Sequence, residues 1–219
     1  MFNTMRKYAK PSTVAFGGLV ILALTLSVLA HYESRFPGDL EVTLLFQSID
    51  SRPLLMAMRG ISYITGEWLA AIVVVVTGII TWRSLGGLEG IIVGLSGLTA
   101  TINEAFKIVI NRPRPVIDLV NVVVVETGTS FPSGHSFFAV VVLGVLAYLT
   151  IAHQTKRYMR ILAASGFLIL ILWIGTSRVY LGVHWASDVI GGYVVGLPFL
   201  GLEIWLYKRL KLRLENKRS

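Results

Sequence analysis

Six times along this chain a stretch of roughly bilayer thickness passes with scarcely a charge, at about residues 14–30, 61–82, 88–110, 135–151, 161–176 and 183–207. A backbone in hydrocarbon has no water to bond, so such runs become helices that satisfy their own N–H and C=O groups. The expected fold class is all-α: a polytopic six-transmembrane-helix bundle forming one integral-membrane domain over residues 1–219. Composition agrees, with 54% hydrophobic and only 15% charged residues and a mean hydropathy of +0.71, which is not the balance of a soluble domain. The net charge of +8 does not point to nucleic acid, because the cations sit between apolar spans and form no basic face with stacking aromatics. The absence of cysteine excludes disulfides, thiol catalysis and cysteine metal sites.

The first run follows a basic tail carrying Arg6, Lys7 and Lys10. Val28 and Ala30 give a small-residue cleavage pattern before His31, but the run exceeds the usual apolar core of a signal peptide and is read as a retained helix. Residues 31–60 mix charges with apolar positions at helical spacing, which predicts an amphipathic helix on the outer surface between spans one and two. His31 is read there as an interfacial side chain, and Glu67 as a solvated or paired residue at the outer end of span two. Trp68 and Trp82 suit the two headgroup belts of that span. Gly94, Ser96 and Gly97 on span three, and Gly191, Gly192 and Gly196 on span six, offer small faces for close helix packing.

Beyond span three the polar residues gather. Asn103, Glu104 and Lys107 come first, then Asn111-Arg112-Pro113-Arg114-Pro115, where two prolines must end the helix. Residues 116–131 form a loop long enough to cover a site. Its Val122–Val125 stretch fits either a short strand or a loop dipping into lipid.

Six spans put both termini on one side. On that side lie 13 of the 20 lysines and arginines, against 7 on the other, so the termini are predicted cytoplasmic. Lys107, Arg114, His135, Arg178 and His184 then all fall at the extracytoplasmic ends of spans three to six. Arg178, His184 and Asp188 stand within otherwise apolar sequence, where ionisable groups are costly unless they have a task. At i and i+4 of a helix, Asp188 would accept a bond from one imidazole nitrogen of His184 and leave the other free, as a histidine nucleophile requires.

Three cations, two histidines, a carboxylate, a serine and a glycine-bearing helix start at one membrane face are what a phosphate needs. Arginine forks, an ammonium and helix-start amides neutralise its oxygens with little reorganisation. Ser133 and Gly134 fit an anion nest before span four, with Gly134 letting the backbone approach closely. Each element alone has an ordinary explanation: a basic helix exit, a helix cap, an interfacial Glu104–Lys107 pair. Their joint position at one depth does not.

Lys107-x6-Arg114-Pro115, Pro132-Ser133-Gly134-His135 and Ser177-Arg178-x5-His184-x3-Asp188 together resemble the three-part signature of the type-2 phosphatidic-acid phosphatase superfamily, whose members include integral-membrane lipid phosphatases and soluble vanadium haloperoxidases. Hydropathy excludes the soluble branch. The resemblance implies that His184 attacks phosphorus to form a phosphohistidine, that Asp188 fixes its ring, and that His135 protonates the leaving oxygen and then activates water. It implies that Lys107, Arg114, Ser133, Gly134 and Arg178 hold the phosphoryl oxygens, with no metal or cofactor. The four histidines form no plausible ligand set with nearby carboxylates. Arg112 lies outside the signature and is read as a headgroup contact or a solvated cation. The expected substrate is a lipid phosphate in the outer leaflet: phosphatidic acid, phosphatidylglycerol phosphate or undecaprenyl diphosphate. A lipid phosphotransferase using the same phosphohistidine, and a non-enzymatic lipid-binding or transport protein, are the competing readings.

Overall fold

Wherever the apolar runs fall, the chain is helical, and local residues set where each helix stops. The computed structural model describes residues 11–217, so Arg6, Lys7, Lys10 and Arg218 lie outside the described residues. Among the described residues there are helices and loops but no strand. The helices are α1 (Pro11–Tyr32), α2 (Asp39–Gln47), α3 (Arg52–Ile64), α4 (Glu67–Ser84) and α5 (Gly87–Ile110), then α6 (Gly134–His153), α7 (Arg157–Tyr180) and α8 (Ala186–Asn216). Five of them, α1, α5, α6, α7 and α8, are long and apolar enough to cross a membrane; the bent pair α3 and α4 supplies a sixth span if taken as one. The protein is an integral membrane protein of the expected class.

Several boundaries differ from the hydropathy reading. The second run is broken: Thr65 Oγ1 donates to the Ile61 carbonyl, closing α3 on itself, and extended Gly66 starts α4 at 67° to α3. Residues 61–64 therefore belong to α3 and not to α4. The region between spans one and two holds two short helices in place of one. Helix α7 runs on to Tyr180, carrying Ser177 and Arg178 within it. Helix α8 begins only at Ala186 and continues through the cationic tail to Asn216. Gly182, in the left-handed region at φ 69°, makes the turn between them.

Helix α6 is the centre of the bundle. In its spanning window 44% of residues are buried, against 11% for α7, whose Leu162, Leu168, Ile169 and Leu172 face outward. Ala139–Leu143 within α6 wind as a single π turn, and Ala139, Val141 and Val142 are wholly buried there. The small face of α8 packs directly on this helix: a Cβ at Gly192 would come 2.7 Å from the Ser133 carbonyl and 2.8 Å from Ser136 Cβ. The glycine run thus serves packing inside the bundle. Two apolar clusters fill the span between ends, one of Ala23, Phe137, Val141 and Val195, the other of Ile92, Val93, Val145, Leu149 and Tyr207. At the end remote from the signature residues, Glu89 accepts bonds from Tyr207 Oη at 2.8 Å and Lys211 Nζ at 3.1 Å.

The loop from 116 to 131 is not a strand. Val123 and Val124 pack on Met58, Tyr180, Leu181 and Val183, and the Val123 N–H donates to the Leu181 carbonyl at 3.0 Å. Gln47 of α2 ties it down, donating to the Asn121 carbonyl at 2.7 Å and accepting from the Asn121 N–H at 3.0 Å. Its far end lies against the ends of α5 and α8 that carry the signature residues, Thr129 Oγ1 donating to the Lys107 carbonyl at 3.1 Å and Ser130 Oγ to Asp188 Oδ2.

Candidate active site

Asn111, in the left-handed conformation that its short polar side chain tolerates, caps α5, and the chain leaves through Arg112-Pro113-Arg114-Pro115. Prolines bias such a segment toward three residues per turn, so side chains two apart diverge by about 120°. The two arginines accordingly face different partners. Arg112 is buried, pairing with Asp39 Oδ2 at 3.1 Å and with Asp188 Oδ1. It also donates to Ser187 Oγ at 2.8 Å and to the Glu33 carbonyl at 3.0 Å. The expected solvated or headgroup-facing Arg112 is therefore corrected: it is an internal cation. Asp39 completes the knot by accepting from the Ser187 N–H at 2.9 Å and Ser187 Oγ at 2.7 Å.

Arg114 turns the other way. Its Nη1 donates to the Val183 carbonyl at 2.8 Å and lies 3.1 Å from His184 Nε2. A guanidinium can only donate, so Nε2 is the acceptor, its lone pair directed at Arg114, and the ring hydrogen sits on Nδ1. Burial, with Arg114 and then Arg178 beside it, pushes the His184 imidazole well below the ordinary histidine value, which keeps it neutral.

His184 and Asp188 are not on one helix as expected. His184 lies in the turn before α8, whose N-terminus Asp188 caps by accepting from the Trp185 N–H at 2.8 Å. Their nearest atoms, Nδ1 and Oδ2, are 3.7 Å apart, beyond hydrogen-bond reach. Ser130 fills the gap, with Oγ 3.2 Å from Nδ1 and 2.5 Å from Asp188 Oδ2. The Ser130 N–H donates to the Arg112 carbonyl at 2.8 Å.

Arg178, on the last turn of α7, is fully buried and bonds Ser62 Oγ of α3 and Glu126 Oε1. The same Ser62 accepts from His135 Nε2 at its carbonyl, at 3.3 Å. Glu126 spans both arginines, with Oε2 3.1 Å from Arg114 Nη1 and 4.0 Å from His184 Nε2. Burial alone would raise its carboxyl, but Arg178 foremost among the surrounding cations overrides that and holds it at about 2.

Lys107 pairs with Glu104 at 2.9 Å, and its ammonium lies 3.6 Å from where a Cβ on Gly134 would be. Ser133 is buried, its Oγ accepting from Ser136 Oγ at 3.1 Å and its N–H donating to the Asp188 carbonyl at 3.0 Å, which joins the starts of α6 and α8. Arg114, Arg178 and His184 thus meet around one carboxylate, His135 shares Ser62 with Arg178, and Lys107 stands over Gly134. Among the described residues no three His, Asp or Glu side chains gather so as to hold a metal ion.

Four residues of this cluster, Asp39, Arg112, Glu126 and Ser130, were not singled out by motif. Glu126 had one local sign, a lone acid closing a run of four valines.

The sequence pattern of the PAP2 superfamily matches residues 89–212. Phosphatidylglycerophosphatase B of Bacillus subtilis is 31% identical over 188 residues, covering 82% of this chain and 88% of that protein. An undecaprenyl-diphosphatase of Sulfolobus acidocaldarius is 32% identical over 112 residues, 49% of this chain and 50% of the relative. The crystal structure of the first transmembrane PAP2 type phosphatidylglycerolphosphate phosphatase, from Bacillus subtilis, superposes with a TM-score of 0.70 at 27% identity, covering 89% of this chain and 96% of that one. Aquifex aeolicus LpxE shares the fold, with a TM-score of 0.63 at 23% identity over 77% of this chain and 96% of its own. With its pattern matched over more than half its length and a relative aligned over most of it, this chain belongs to the PAP2 superfamily.

Proposed function

We propose that this protein is a lipid phosphate phosphatase that removes a terminal phosphate through a phosphohistidine on His184. The observation that carries the reading is the seat of Glu126: two arginines already hold an oxyanion there, with one oxygen 4.0 Å from a histidine nitrogen that carries no hydrogen. A substrate phosphate replacing that carboxylate would meet the same guanidinium forks, which bind phosphate as they bind carboxylate.

In the reaction so read, His184 Nε2 attacks phosphorus while the bond to the leaving oxygen breaks, and His135 supplies that oxygen with a proton. His135 then takes a proton from water, whose oxygen attacks the phosphohistidine and releases phosphate and free His184. Arg114 and Arg178, with Lys107 and the amides at Ser133 and Gly134, neutralise the equatorial oxygens. No metal takes part. The charge distribution supports cytoplasmic termini and a site opening to the extracytoplasmic side, with substrate in the outer leaflet. Phosphatidic acid, phosphatidylglycerol phosphate and undecaprenyl diphosphate all present such a phosphate.

The test is phosphate release from a panel of these lipids in detergent by wild type and by His184→Ala. Wild type should turn over at least one lipid, and His184→Ala should neither turn over nor trap phosphoenzyme. Vanadate, as a trigonal-bipyramidal mimic, should compete, and EDTA should have no effect. Substantial activity in His184→Ala, or strict magnesium dependence, would overturn the mechanism.

A further inference from the structure

We propose that Ser130 is the residue that positions His184: it relays the charge of Asp188 to the imidazole and fixes which ring nitrogen carries the hydrogen. The inference rests on the phosphatase reading above and names a residue outside the three signature motifs.

Hydrogen-bond polarity leaves one arrangement. Asp188 is an acceptor only, and Oδ1 is taken by Arg112. Oδ2 receives the Trp185 N–H at 2.8 Å and lies 2.5 Å from Ser130 Oγ. The single hydroxyl hydrogen of Ser130 must therefore point at Oδ2. That orients an Oγ lone pair toward His184 Nδ1, 3.2 Å away, which can then only donate. Arg114, donating at 3.1 Å on the opposite edge of the ring, demands the same tautomer. The chain Nδ1–H to Oγ–H to Oδ2 runs in one direction and leaves Nε2 as the nucleophilic atom. With 3.7 Å between Nδ1 and Oδ2, the carboxylate cannot impose this directly.

The serine is itself held. It is fully buried, its N–H is bonded to the Arg112 carbonyl at 2.8 Å, and the next residue, Phe131, is fully buried against Ala30 and Ile110. The hydroxyl thus has a fixed origin, as a group that orients a histidine must.

Ser130→Ala removes the hydroxyl with little change of shape, and Ser130→Thr restores it. Ser130→Ala should lower kcat by about 10–100-fold, the range for partners that orient a functional histidine. KM should stay near wild type, with phosphohistidine forming more slowly and hydrolysing at its usual rate. Ser130→Thr should regain much of the loss. As a readout independent of turnover, ring ¹⁵N shifts of labelled protein should report Nδ1–H at His184 in wild type and a mixture of tautomers in Ser130→Ala. If Ser130→Ala keeps wild-type kcat and the Nδ1–H tautomer, the relay is wrong and Asp188 reaches the ring by itself. A loss of kcat with the tautomer unchanged, or one confined to poorly folded protein, likewise overturns it. Absence of lipid phosphate turnover in wild type instead defeats the phosphatase reading, and its survival in His184→Ala the phosphohistidine mechanism; either leaves the tautomer measurement to judge the relay.

Discussion

Arg112 and Arg114 are two residues apart, and each sits against carboxylates, yet the two pairings are unlike. Arg112 and its partners Asp39 and Asp188 have side chains at most 3% exposed, and both acids are anchored on helices. Arg114, joined by Arg178, holds Glu126, which is 26% exposed and rides on a loop. A buried pair between rigid elements is scaffold: removing one partner strands a charge in a medium that cannot solvate it. A partly exposed carboxylate on a loop can be exchanged for another anion. The same chemistry therefore frames the site on one side and opens it on the other.

The sharpest way to break this contrast is Asp188→Asn. An amide nitrogen facing Ser130 would reverse the relay and put the hydrogen on Nε2, costing on the order of 10⁴-fold in kcat if the serine-triad precedent holds. Asp39 would remain as counter-charge to Arg112, so the protein should still fold. Little loss of rate would reduce Asp188 to a helix cap. Next, Arg112→Met should destabilise the protein by about 3–5 kcal/mol in detergent unfolding, since two buried acids lose their cation. A variant as stable as wild type would place Arg112 with the exchangeable group.

Arg178→Met should instead lower kcat/KM by about 10²–10³-fold, the usual cost of losing one donor to a developing oxyanion, with far less effect on stability than Arg112→Met. Glu126→Gln should tighten vanadate inhibition, because a neutral amide competes less well for the arginines. In wild type the folded-state Glu126, at about 2, titrates below its ordinary value near 4.5. Its contribution to stability is full above about 4.5 and is lost as pH falls toward about 2. Glu126→Gln should remove that part of the acid sensitivity, as acid-unfolding curves of the two proteins would reveal. The smallest effect should come from the far end: Lys211→Met removes a partly exposed lysine whose buried partner Glu89 keeps its bond from Tyr207, a loss of about 1 kcal/mol or less, and should leave turnover untouched.

What could be read from the chain beforehand divides along the same line. Spans are set by hydropathy, a local property, so five helices and the bent sixth fell near their expected places. Motif spacing likewise marked Arg114, Arg178, His135 and His184, residues whose proposed roles are toward a substrate and do not depend on knowing a distant partner. Arg112 shows why the rest was hidden. Its partners are 73 and 76 positions away, and nothing local distinguishes it from a basic helix exit. Ser130, 54 positions from His184, is one hydroxyl in a polar loop. The helical i, i+4 reading of His184 and Asp188 failed because Gly182 and the Asp188 cap begin α8 two residues after the histidine. That late start opens the gap into which the serine fits.

The π turn at Ala139–Leu143 in α6 means that the segment bearing His135 and the deeper half of that helix are phased independently. The turn absorbs one residue that in a regular α-helix would swivel the histidine by about 100° relative to the deeper half. The deeper packing of Val145 and Leu149 on Ile92, Val93 and Tyr207 keeps its own setting. Aim of the histidine proposed as proton donor and packing of the helix below it are thus adjustable apart from each other, through a single residue of length.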